Sequence, residues 1–110
     1  MLELMDPDVV DEIHDMITSK VPPKVQERIK TTASKVCNEP ACAYDFISDF
    51  ISQYGKGEMN HIRLMRNMMA SIDITWKSFQ QAANQGDVRR EFNQYIQRML
   101  VGAWLALKSN

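Results

Sequence analysis

Glycine and proline are scarce in this chain, four of each in 110 residues, and cysteine is scarcer still, with two. That excludes a disulfide-stapled scaffold and the Pro/Gly-rich low-complexity classes. Long apolar runs are missing as well: the longest, Met99 to Leu107, has nine residues, less than half of the roughly 20 that cross a bilayer. The opening stretch, Met1-Leu2-Glu3-Leu4-Met5-Asp6, has neither a basic leader nor an apolar core of signal-peptide length. The expected setting is therefore intracellular and cytoplasmic, with both thiols reduced. A surplus of either charge is also lacking, because 13 Lys+Arg face 14 Asp+Glu for a net charge of −1. Dedicated nucleic-acid binders carry a strong positive excess, and disordered acidic chains are poor in apolar residues, whereas this one is 45% hydrophobic.

Signatures of site chemistry are equally thin. Cys37 and Cys42 bracket Asn-Glu-Pro-Ala in a C-x4-C spacing at the edge of zinc patterns, and no second Cys or His pair stands near to complete a tetrahedron. His14 and His61 fall on separate expected helices. Asp11, three residues before His14, would suit the orienting partner of a general base, yet the acid-rich turn around it also reads as a solvated helix face. His61 follows Glu58 by one turn, with no nucleophile motif, glycine-rich phosphate loop or Glu-x-x-His pair in the chain. No catalytic residue, metal ligand or cofactor is assigned, and a non-enzymatic role is expected. The cysteines are expected to be free thiols at a helix corner.

What the sequence has in quantity is helical periodicity. Asp6-Pro7 reads as an N-cap followed by proline in the first turn, with Met5 stapling onto Val10, and Val9, Val10, Ile13, Met16 and Ile17 follow at helical spacing. Val21-Pro22-Pro23 ends that helix and opens a second, expected over about 23–37, with Val25, Ile29, Ala33 and Val36 inward. Asn38-Glu39-Pro40 turns into a third helix carrying Phe46, Ile47, Phe50, Ile51 and Tyr54, with Gly55 expected as its left-handed C-terminal residue and Gly55-Lys56-Gly57 as the most flexible stretch.

From Glu58 to Gln85, the residues Ile62, Met65, Met69, Ile72, Trp76, Phe79 and Ala83 recur at alternating gaps of three and four, the seam of a long helix lying along another. Trp76 is expected as its core anchor, and the β-branched Ser71–Thr75 stretch as a place where the helix bends or breaks. Asn84-Gln85-Gly86-Asp87 has the glycine and aspartate of a tight turn between helices. The fifth helix, Val88 to about Lys108, would turn Val88, Phe92, Tyr95, Ile96, Met99, Ala103 and Leu107 inward, with Gly102, Ala103 and Ala106 admitting a close neighbour. The chain is expected to be one all-α domain over residues 1–110, a compact bundle of about five helices with a long C-terminal antiparallel hairpin.

Two functional readings follow. Eight methionines, four of them in the fourth helix, give that helix an apolar surface wider than one partner covers. It is then either the central helix of the bundle or a plastic binding face. Leu64, Met68, Val101, Trp104 and Leu105 lie off the expected inner seams, so they are the candidate protein-binding residues of a non-catalytic module that pairs with itself as a homodimer or serves a larger protein as adaptor or inhibitor, with Trp104 as the hot spot. The alternative is a nucleic-acid-binding accessory protein, with Lys20, Lys24, Arg28 and Lys35 along the second helix on phosphates, joined by Arg63, Arg66, Arg89, Arg90 and Arg98 if packing gathers them. A helix-turn-helix at the first corner is disfavoured by Pro22-Pro23 and by the few base-reading side chains on the second helix. Charge alternates in blocks: −6 over residues 1–15, +4 over 16–35, −3 over 36–58 and +4 over 59–110.

Overall fold

The computed structural model describes residues 12, 15–55, 58–81 and 85–109. Five helices form it: α1 (15–19), α2 (Pro23–Asn38), α3 (Ala43–Tyr54), α4 (Glu58–Gln80) and α5 (Gln85–Ser109), with a 3-10 turn at Pro40–Cys42 between α2 and α3. The described residues contain no strand. The expected cap at Asp6, the Met5–Val10 staple, His14, Gly57 and Ala83 lie outside the described residues.

Proline sets the first corners. Pro22 sits in extended geometry (φ −55°, ψ 144°) and Pro23 opens α2, where its missing N–H would have had no helical partner. The α1–α2 corner is then bolted by Gln26, whose Nε2 donates to the carbonyls of Thr18 (2.9 Å) and Val21 (2.7 Å). Val25, Ile29, Ala33 and Val36 are all buried, as their spacing predicts, and Thr32 and Cys37 join them. Pro40 begins the 3-10 turn instead of α3 itself, which starts at Ala43 and buries Ile47, Phe50 and Ile51 completely. Gly55 is extended (φ −85°, ψ 150°), not left-handed. Glycine is needed there for space: a Cβ would stand 2.8 Å from the Ile51 carbonyl oxygen and 3.3 Å from Leu107 Cδ2.

In α4 the face is turned from the expected seam. Met65, Met68 and Ile72 are the buried residues, while Ile62 is 54% exposed and Met69, Trp76 and Phe79 are only partly covered. The helix runs unbroken through Ser71–Thr75. α5 starts at Gln85, three residues ahead of the expected Val88. It is α3 and α5, not α4, that each touch all three of the other long helices, and the α5 interface with α2 is the most extensive of the bundle. A helix touched from three sides needs apolar residues around most of its girth, which explains why Leu100, Val101 and Trp104 are buried beside Phe92, Ile96 and Ala103. Phe92 anchors the α4–α5 contact, with Trp76 and Phe79 ring centroids 5.0 and 5.8 Å from its own. The helices thus form a ring in chain order, α2, α3, α4, α5, closed by α2 on α5 and crossed by an α3–α5 contact.

Candidate interaction surfaces

Burial removes most of the expected apolar docking patch. Met68, Val101 and Trp104 are core residues, exposed by 4%, 6% and 9%. Leu64 is partly buried against the same core, and only Leu105 faces solvent. Val101 and Trp104 lie off a single seam because three helices pack on α5, and Leu64 and Met68 because both α3 and α5 pack on α4. Lys108 Nζ stands 5.0 Å from the Trp104 ring centroid, closing its outer side with a cation–π contact. Gly102 faces open space, with nothing within 4 Å of a Cβ placed on it, and Ala106 is exposed, so only Ala103 meets a neighbour closely.

Among the described residues, the large apolar side chains that reach solvent are Leu105 and four outside the expected patch: Met16, Tyr44, Ile62 and Ile74. Two of them meet. Tyr44 at the start of α3 and Ile62 near the start of α4 line one open depression together with Met65 and Met69, rimmed by His61 and Arg66. Tyr44 and Ile62 are each more than half exposed, while Met65 forms the buried floor. Asp45, beside Tyr44, is exposed on the outer side of α3.

The basic residues are also redistributed. Lys20 and Lys24 are exposed, and Lys35 extends over the Phe46 ring (5.9 Å to its centroid) on the flank of α2 that faces α3. Arg28 is half-buried, with its Nε withdrawn from solvent and without a hydrogen-bond partner. The second-helix stripe is therefore not brought to the arginines of α5. Lys30, on the other flank of α2, is: it lines a groove with Gln26 and Ile29 of α2, Gln94, Gln97, Arg98 and Val101 of α5, and Asp15 and Thr18 of α1. Gln94 and Gln97 also line the next depression, with Arg89, Arg90 and Asn93. Arg89 in turn lines a third, with Trp76, Phe79, Gln80 and Val88. Among the described residues lining the three there are four bases, Lys30, Arg89, Arg90 and Arg98, and one acid, Asp15. Lys30 escaped the sequence reading because it lies outside the Lys24-Arg28-Lys35 spacing, and only tertiary packing links it to α5.

Amide chemistry organises this track. Gln97 Nε2 donates to Asn93 Oδ1 at 2.6 Å, and the Asn93 side chain also hydrogen-bonds Cys37. Burial pushes the Cys37 thiol above its usual range, against the smaller opposing effects of that hydrogen bond and of the Arg89 charge. Both cysteines are free. Among the described residues there is no group of three or more His, Cys, Asp or Glu placed to hold a metal ion, and no helix long and apolar enough to cross a membrane. Comparison with protein families, with curated proteins and with solved structures finds no match for this chain.

Proposed function

We propose that the protein is a non-catalytic helical interaction module that self-associates through the α3–α4 face. The observation that carries this reading is the joining of Tyr44 and Ile62, two strongly exposed large apolar side chains, in one depression floored by methionine. Isolated exposed apolar residues are ordinary on a monomer, whereas a contiguous group with a polar rim is the usual mark of a contact surface. Methionine adds adaptability to such a surface.

A second copy of the chain is the occupant that the charges favour. A two-fold contact sets the same patch against itself. With α3 of one copy laid on α4 of the other, the exposed Asp45, next to Tyr44 in α3 though outside the depression, would be the acid nearest in sequence to meet Arg66 on its rim, twice in each dimer. The patch is then self-complementary in charge as well as in hydrophobicity.

Light scattering coupled to size exclusion tests this directly. The wild type is expected to run as a concentration-dependent dimer and Ile62→Asp as a folded monomer, because a carboxylate at the centre of the patch would lose its hydration on pairing. A wild type that stays monomeric at high micromolar concentration, or an Ile62→Asp variant that still dimerises, removes the proposal.

A further inference from the structure

We infer that the track running from the α2–α5 groove to the α4–α5 edge is a binding site for a single-stranded nucleic-acid segment. This inference is independent of the α3–α4 face. It keeps nucleic acid as a ligand but moves the contact away from the Lys24-Arg28-Lys35 stripe. Single strands are held by two kinds of group in succession: cations that follow the phosphates and aromatic faces on which unpaired bases stack. Both are here, in order. Lys30 and Arg98 line the first depression, Arg89 and Arg90 the second, and Trp76 and Phe79 the third, each depression sharing residues with the next.

Several features favour this ligand over others of the same charge. Arg89 to Arg98 spans nine residues of α5, about 13 Å of helix at 1.5 Å per residue, too long for one phosphate and suited to a chain of them. Trp76, tilted 45° to the Phe92 ring, and Phe79, nearly edge-on to it at 73°, remain partly exposed, a placement that leaves ring surface at the end of the track. An acidic peptide would be drawn by the same arginines, but protein segments are secured by aliphatic or aromatic anchors in buried pockets. The basic portion of the track offers only Ile29 and Val101, and both are buried. Duplexes keep their bases stacked on one another, so the partly exposed Trp76 and Phe79 rings serve only an unpaired strand. The carboxamides of Gln94 and Gln97 supply donors and acceptors for sugar and phosphate without demanding a sequence.

The expected strength is modest, since at most four phosphates are neutralised. For single strands the logarithm of affinity falls with the logarithm of salt with a slope of about −0.7 per phosphate, so raising salt from about 50 to 200 mM should weaken binding roughly 50-fold. The test is fluorescence anisotropy of labelled oligo(dT) of about 20 nucleotides against the intact protein, read in parallel with tryptophan emission. Expected are saturable micromolar binding, quenching of Trp76 with the buried Trp104 unaffected, and the stated salt loss. An Arg89→Gln/Arg90→Gln variant should bind at least tenfold more weakly, and Lys24→Gln/Lys35→Gln, on the other flank of α2, should bind as wild type. Trp76→Leu should lose roughly 5- to 150-fold through stacking, and because that variant also touches the Phe92 contact its helicity is checked by circular dichroism. Absence of binding at low salt overturns the inference. So does equal weakening by the Lys24/Lys35 variant, or displacement of the oligonucleotide by polyglutamate at equal charge.

Discussion

The two tryptophans show what a single residue's surroundings decide. Spacing assigns Trp76 to a core seam and leaves Trp104 over, as an outward hot spot. In the folded molecule Trp104 is nine-tenths covered and Trp76 is the partly exposed one. The helices themselves were read correctly, but the buried face of α4 is turned from its expected seam and that of α5 is wider than its own, because which arc is covered depends on the number and placement of neighbours, which the periodicity of one helix does not carry. Cys37 is a residue whose surroundings lead to a measurable consequence. Its thiol is raised mainly by burial, so the native chain keeps a proton that the unfolded chain gives up. The stability linked to that proton is whole below the ordinary thiol range, about 8.5, and is lost as pH climbs beyond it toward the raised native value. Urea melts at neutral and strongly alkaline pH should therefore show a larger alkaline loss for wild type than for Cys37→Ala. A thiol reagent at pH 8 should modify Cys42, which is partly exposed, well before Cys37. Equal rates for the two thiols would contradict the burial of Cys37.

At the scale of elements, the sequence is most legible where backbone chemistry leaves few options. Pro22-Pro23 places the start of α2 to the residue, and the four-residue apolar set of that helix is buried in full. It is less legible where several residues qualify equally. In α4, Ile62, Leu64, Met65, Met68, Met69 and Ile72 offer more than one apolar stripe, and the choice of Met65-Met68-Ile72 is made by α3 and α5, not by α4 itself. Gly102 illustrates the same limit. A small residue in a helix suggests close packing, yet here it faces open space in the middle of α5. Glycine in a helix interior weakens it through backbone entropy and no contact compensates, so Gly102→Ala should stabilise the protein by about 0.5–1 kcal/mol. Since about 1 kcal/mol moves the midpoint of a domain this size by roughly 4–8 °C, thermal melting resolves the change. A lower Tm for Gly102→Ala would mean that this side of α5 is covered in solution.

For the whole molecule, the closed order of the helices sets the relation between its two candidate surfaces. The all-α class and the number of helices were legible because helix signals recur from end to end. That α3 and α5, and not α4, touch every other long helix was not, since it is fixed by contacts between segments far apart in the chain. With α2 on α5 and α3 on α4 at opposite edges of the ring, the apolar depression at Tyr44 and Ile62 and the basic groove at Lys30 and Arg98 belong to different sides of the bundle. The third depression, at Trp76, lies at least fourteen residues along α4 from Ile62, about 21 Å of helix. Screening at physiological salt works over about 8 Å, so a charge introduced at one surface should be scarcely felt at the other. Pairing through α3–α4 would leave the basic track open on each copy, and sites this distant with no shared partners are expected to act independently. Ile62→Asp should therefore abolish dimerisation while holding affinity per chain for a short oligonucleotide within about twofold of wild type. Anisotropy titrations on the variant, with folding checked by circular dichroism, measure this. If a folded Ile62→Asp monomer lost the oligonucleotide as well, the two surfaces would have to be one site assembled across the dimer, and the ring order would no longer separate them.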